Sequence, residues 1–240
     1  MLSSARLHRS QISGQLLADV VPGRYIQRKL ETLFRCRHRI AANDIDTHRK
    51  YGGCSKMKVA ITGSSGDIGS ELTPFLKTGG HEVVRLVRSR SMLGESSAYW
   101  NPAEGELSPD LFQGVDAVIN LSGENVSGGR WTAAKKERLR DSRIRTTELL
   151  AETLAGLNDP PKVLLNSSAV GFYGDRGDES VDESCQRGSG LLPDVCAEWE
   201  AATRPAQEKG IRTAFLRFGV VLSPAGGALS KMLLPFKMCL

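Results

Sequence analysis

Residues 58–69 read KVAITGSSGDIG, an apolar run that ends in a glycine-rich loop where a helix must begin. Val59, Ala60 and Ile61 carry no polar alternation, as expected of a strand buried on both faces. Beyond the loop, Ile68, Leu72, Phe75 and Leu76 recur at helical spacing. Between a strand and a helix, this glycine spacing fits a dinucleotide diphosphate. The first glycine permits a tight turn, the second lets backbone amides approach the phosphates, and the third lets the helix pack against the strand. The diphosphate would rest on the helix N-terminus, where unpaired N–H groups and the positive dipole end favour an anion. Gly63, Ser64, Ser65, Gly66, Asp67, Ile68 and Gly69 are therefore the predicted diphosphate seat. Glycine-rich turns also serve as plain connectors; the flanking strand and helix patterns favour the nucleotide.

The rest of residues 57–240 continues in the same rhythm. Gly79 and Gly80 stop the first helix, and His81–Val87 reads as a second strand. Residues 89–114, rich in Ser, Pro and Gly, read as an irregular excursion. Strands follow at Val115–Leu121, Val163–Leu165 and Thr213–Val221, with helices at Thr132–Leu154 and Asp194–Lys209. Strands alternating with helices predict an α/β fold, a Rossmann-type doubly wound parallel sheet.

The end of the second strand decides which dinucleotide fits. An acidic residue there would bind a ribose 2′-hydroxyl and select NAD, whereas arginine accommodates a 2′-phosphate. This strand ends in Arg85, Leu86, Val87, Arg88, Ser89 and Arg90, with no carboxylate. NADP is the expected cofactor, with Arg88 as first choice for the phosphate and Ser89 or Arg90 assisting, because a guanidinium fork matches phosphate oxygens. The alternative is a solvated strand end.

Residues 1–56 form a basic leader with eleven Lys and Arg against four Asp and Glu. Tyr25, Ile26, Leu30, Leu33 and Phe34 make an apolar helical stripe within it. That pattern fits a helix packed on another surface better than a cleaved targeting signal, and a basic face alone supports no nucleic-acid partner. No run of apolar residues is long enough to span a membrane. The five cysteines form no C-x-x-C pair, which argues against a metal site and for a reducing, cytoplasmic setting. A small-molecule substrate is the expected partner. A homo-oligomer is compatible with the sequence, but no seam identifies one.

Several longer stretches are more specific: NLSGENVSGGRW at 120–131, DSRIRTTELL at 141–150, SSAVGFYGDRG at 167–177, WEAA at 199–202 and LRFGVVLSPAGGALSKMLLPF at 216–236. Through them the chain resembles the extended short-chain dehydrogenase/reductases, and within these the YfcH-like group of epimerase family proteins, relatives of the nucleoside-diphosphate-sugar epimerases. The resemblance implies a Rossmann core binding NADP, with Leu121, Ser122 and Gly123 passing along the cofactor. It also implies that Arg143 faces the cofactor, whereas Arg138 fits either the cofactor side or a solvated face. Trp100 and Pro102 match the group's W-x-P element. RYIQRKLETLFRCRHRI at 24–40 is similar to the terminal helix of a START-like (SRPBCC) domain.

Catalytic residues depart from that pattern. Extended dehydrogenases use a Ser or Thr after a core strand and a Tyr-x-x-x-Lys on the next helix, the Tyr acting as general acid/base. By resemblance Ser167 or Ser168 takes the first role, but the Tyr and Lys positions hold Leu192 and Cys196. A leucine transfers no proton. Tyr173 is the remaining candidate acid, with loop anchoring as its alternative role. The chain also stops inside an element that the group continues, so the substrate-capping part is expected to be incomplete. Two functions follow: an NADP-dependent oxidoreductase or epimerase-like enzyme, or a non-catalytic NADP-binding sensor or partner-binding module.

Overall fold

Apolar residues crowd both faces of the short strands, so the strands lie inside a sheet covered on both sides. The structure, a computed structural model, describes residues 4–53, 55–126, 130–223 and 226–238. The chain divides into two units, Met1–Ser55 and Lys56–Leu240. The first is built on one helix, α1 (Ser4–Tyr51), longer than its apolar stripe alone marks out. Gly52 and Gly53 follow it in a turn.

In the second unit β1 (Lys58–Thr62) leads into α2 (Asp67–Thr78), then β2 (Glu82–Val87), β3 (Ser97–Tyr99) and β4 (Ala117–Asn120). After α3 (Ala133–Ala155) come β5 (Val163–Ala169), α4 (Leu191–Ala201), α5 (Arg204–Glu208), β6 (Arg212–Phe218), β7 (Leu222–Ser223) and α6 (Gly227–Lys237). Six strands form one sheet in the order β3-β2-β1-β4-β5-β6, every pairing parallel. The order reverses between β1 and β4, which opens a crevice at the carboxyl ends of the strands, the usual ligand position in such sheets.

The period-two alternation of a strand sends Ala60 and Ile61 to opposite faces. Ala60, with Leu86, Val118 and Leu164, packs under Leu150 and Leu154 of α3. Val59 and Ile61, with Val83, Ala117 and Ile119, pack with Leu72 and Leu76 of α2.

Several boundaries differ from the sequence expectation, the Thr213–Val221 strand ending at Phe218 and the Val115–Leu121 strand shortening to Ala117–Asn120; three further differences have a local reason. The 89–114 stretch contains β3, whose three residues are too few to show periodicity; Trp100 follows it, 1% exposed. The 194–209 segment is two helices, with Pro205 in the first turn of the second, where its missing N–H costs nothing. The 163–165 strand runs on to Ala169, so Ser167 and Ser168 lie in the sheet rather than after it.

A polar ladder crosses the carboxyl ends of β1, β4 and β5. Thr62 Oγ1 donates to Asn120 Oδ1 (2.6 Å), and Asn120 Nδ2 donates to Asn166 Oδ1 (2.7 Å) and Thr147 Oγ1 (2.9 Å). Trp199 Nε1 from α4 also donates to Thr147 Oγ1 (3.0 Å). Thr62, Asn120, Asn166 and Thr147 are each fully buried, where polar groups need partners.

Candidate functional site

The glycine loop is shaped by three different constraints. Gly63 has φ +67°, and a Cβ there would run into the Leu121 carbonyl, so β1 and β4 end in direct backbone contact. A Cβ on Gly69 would strike the Gly63 carbonyl, which is why α2 starts so close to the strand. At Gly66 the nearest protein atom to a built Cβ is Gly63 O at 3.4 Å, and no side chain caps α2. The orphan amides of its first turn therefore lack a side-chain acceptor, the condition for anion binding.

Beside this loop lies a cavity of about 490 Å³, walled by residues 63–66, 86–89, 121–123, Met92 and Trp100. It joins three sequence-predicted groups: Gly63, Ser64, Ser65 and Gly66; Arg88 and Ser89; and Leu121, Ser122 and Gly123. No carboxylate stands in the wall. Arg88 is exposed and forms no ion pair among the described residues, and Ser89 Oγ is bonded to Ser91 Oγ at 2.7 Å. Arg90 is outside the wall, its guanidinium stacked 4.2 Å over the Tyr99 ring. Asp67 and Ile68 occupy the first turn of α2, and the Asp67 carboxylate lies against Gly226 and Gly227.

Arg143 stands behind that wall. Its Nη1 donates to Leu139 O and its Nη2 to Glu124 O, both at 2.9 Å. The guanidinium lies across Gly123, 3.3 Å from where a Cβ would stand, and 5.1 Å over the Trp199 ring. Burial pushes its pKa below the ordinary arginine value. Glu124 is bound at 2.7 Å by the buried Lys135 and at 3.6 Å by Arg138, and its carboxyl is held below the usual range, chiefly by the Lys135 hydrogen bond.

Two of the three catalytic candidates, Ser168 and Tyr173, meet in a second cluster, organised by two residues that the sequence reading did not single out. Arg217 of β6 bonds Glu200 of α4 through Nε–Oε1 and Nη2–Oε2, both 2.9 Å, and its Nη1 donates to Tyr173 Oη at 2.9 Å. Ser168 Oγ donates to Glu200 Oε1 at 2.6 Å. The Phe172 ring lies 3.6 Å beneath the Arg217 guanidinium, and the hydrogen bond to Glu200 raises the Arg217 pKa further above its ordinary value. Two clues were legible: an arginine inside the apolar strand LRF and a glutamate on the buried helix WEAA. Charges in such positions require partners.

Ser167 and Ser168 face opposite sides of β5, as neighbouring strand residues must. The Ser168 hydroxyl hydrogen is committed to Glu200, whereas Ser167, 6% exposed, makes no side-chain hydrogen bond among the described residues. At the Tyr-x-x-x-Lys positions Leu192 is exposed and Cys196 buried beside Gly171. Burial pushes the Cys196 thiol up, away from a nucleophilic thiolate. Tyr173 also borders a separate open cleft of about 590 Å³, lined by Asp175, Arg176, Glu179 and residues 185–189 and not touching the glycine loop.

Known proteins share this architecture. The chain is 49% identical over 174 residues to epimerase family protein Mb2239 of Mycobacterium bovis, covering 72% of this chain and 57% of the relative. Its fold matches a nucleoside-diphosphate sugar epimerase of Corynebacterium glutamicum with TM-score 0.71 and 38% identity, over 81% of this chain and 41% of the other. It matches human epimerase family protein SDR39U1 (isoform 2), solved with NADPH, with TM-score 0.66 and 33% identity, over 76% and 60% of the two chains. The chain thus spans between 41% and 60% of the length of these relatives. Residues 59–234 match the NAD dependent epimerase/dehydratase family, and the chain belongs to that family.

Proposed function

We propose that the chain binds NADP and serves an oxidoreductase or epimerase-like reaction on a small substrate. One observation carries the cofactor choice: the loop into the uncapped α2 N-terminus and Arg88, which forms no ion pair among the described residues, wall one cavity whose lining residues include no carboxylate. Amides from Gly63 to Gly69 would grip the diphosphate, and Arg88 with Ser89 the 2′-phosphate. Leu121, Ser122 and Gly123 would run alongside, with Arg143 bracing the last of them. The human relative solved with NADPH supports this reading.

When bound, NADP supplies hydride transfer, and the protein's part is binding, orientation and proton handling. Tyr173 is the proposed proton donor. Its oxygen accepts from Arg217, which leaves its hydrogen to give and sets a cation beside the charge that develops. Ser168, fixed by Glu200, is the hydroxyl on the Tyr173 side of β5, whereas Ser167, the other candidate, faces the opposite side. A second reading, a non-catalytic NADP-binding sensor or partner-binding module, is favoured by Leu192 and Cys196 at the acid/base positions. The half-exposed stripe of α1, with Tyr25 at 63% and Phe34 at 51%, supports a helix that covers a neighbouring surface, in keeping with a START-like terminal helix. The absence of any membrane-crossing helix among the described residues is compatible with a cytoplasmic site of action.

Calorimetry with NADPH and NADH tests the cofactor. Heat with NADPH and a much weaker response with NADH are expected; no heat from folded protein with either defeats both readings. Substrate-dependent NADPH oxidation across a carbonyl panel then separates enzyme from sensor.

A further inference from the structure

We infer that Arg143 recognises an oxyanion, so that the ligand taken beside Gly123 carries a carboxylate or phosphate group of its own. This rests on the NADP-binding reading of the adjoining cavity. Half-buried between the Gly123 backbone and the Trp199 ring, the Arg143 guanidinium has been drawn out of water, yet among the described residues no carboxylate lies within ion-pair distance. Buried charges in proteins are ordinarily paired. Arg217, similarly recessed, shows the paired arrangement, with Glu200 closing both arms of its fork.

The two acids nearest in the site are already committed. Glu124 hydrogen-bonds Arg143 through its main-chain carbonyl and acts on it electrostatically without forming an ion pair, its carboxylate being held by Lys135 and Arg138, and Glu200 is taken by Arg217 and Ser168. Two of the five N–H groups of the Arg143 fork reach main-chain carbonyls, which leaves three donors. The cofactor's anions have other seats, the diphosphate on α2 and the 2′-phosphate on Arg88, so NADP would not neutralise Arg143. Arginine is also the side chain best matched to a planar or tetrahedral oxyanion. Desolvation lowers the Arg143 pKa while the Glu200 hydrogen bond raises that of Arg217, as expected of one cation awaiting a partner and one possessing it.

The test begins with the full chain saturated with NADPH, binding being verified by calorimetry. Guanidinium Nε–Hε signals are followed by ¹H–¹⁵N NMR during titration with inorganic phosphate, with malonate, and with chloride at matched ionic strength. The Arg143 signal is identified by its loss in Arg143→Lys. A saturable shift of that signal with phosphate or malonate, at least about tenfold stronger than with chloride, is expected, and the more effective anion identifies the class. In Arg143→Met, anion affinity measured at saturating NADPH should fall by about tenfold or more. NADPH binding without a saturable Arg143 response, or undiminished anion affinity in the Met variant, overturns the inference alone. No NADPH binding in the wild type removes the cofactor reading first, and this one with it. The wild-type titration stands even where the Met variant folds poorly.

Discussion

Arg217 and Glu200 face each other through two parallel hydrogen bonds of 2.9 Å, their side chains only 18% and 10% exposed. This pair joins the end of β6 to α4 and holds Ser168 and Tyr173 in one arrangement. Removing the carboxylate would leave a recessed guanidinium unpaired and Ser168 without its acceptor. Glu200→Ala should lower stability by about 3 kcal/mol, measured by urea unfolding. A loss under about 1 kcal/mol would mean that water replaces the carboxylate without strain.

The two outer glycines and the middle one should separate folding from binding. Gly63→Ala forces a side chain into a left-handed backbone and against the Leu121 carbonyl, and should cost about 1–3 kcal/mol. Gly66, with φ −78° and only an ordinary contact between a built Cβ and Gly63 O at 3.4 Å, should tolerate alanine within about 0.5 kcal/mol, yet lose NADPH affinity. Thermal unfolding and calorimetry on the same samples check both. Equal effects of the two substitutions on stability would refute this division.

Arg88 sets the expected preference between the two dinucleotides. Arg88→Asp replaces a 2′-phosphate partner with a group suited to a ribose hydroxyl. The ratio of NADPH to NADH affinity should fall at least tenfold and reverse. An unchanged ratio would assign the 2′-phosphate elsewhere.

For Tyr173 the decisive variant is phenylalanine. Should it supply the proton, Tyr173→Phe lowers turnover by about 10²–10⁴-fold with NADPH affinity retained. Undiminished turnover would reduce Tyr173 to an anchor for Arg217.

Asp116 gives a pH signature of the sheet's opposite end. Its carboxylate accepts from the Lys58 amide at 2.9 Å and from Lys162 at 3.4 Å, and these contacts hold its pKa below the ordinary 3.8. A depressed carboxylate contributes stability above its unfolded pKa and loses it as the pH falls through the folded one. The Tm advantage of the wild type over Asp116→Asn should therefore be full at neutral pH and shrink below about pH 4. A gap that widens on acidification would reverse the assignment.

The long-range plan of the fold was legible because buried parallel strands announce themselves as apolar runs, as in Val59–Ile61 and Ala117–Ile119. β3 was not, since the residues Ser97–Tyr99 carry no readable period and gain their order from β2. The cavity wall could be anticipated from glycine spacing and from Arg88, because both act locally along the chain. The Arg217–Glu200 pair depends on two residues brought together by tertiary folding. Only a charge stranded in an apolar setting hinted at it. Resemblance singled out Arg143, but that no carboxylate among the described residues pairs with it is a property of the packed site.

The ladder from Thr62 to Trp199 also governs alignment. Sliding β4 by one residue would present Ile119 or Leu121 where Asn120 now meets three neighbours, cancelling the three bonds that Asn120 makes in the row. The relative heights of the loops that border the cavity are thus locked during folding, before any nucleotide arrives. Binding would then require little rearrangement of the shelf beneath it.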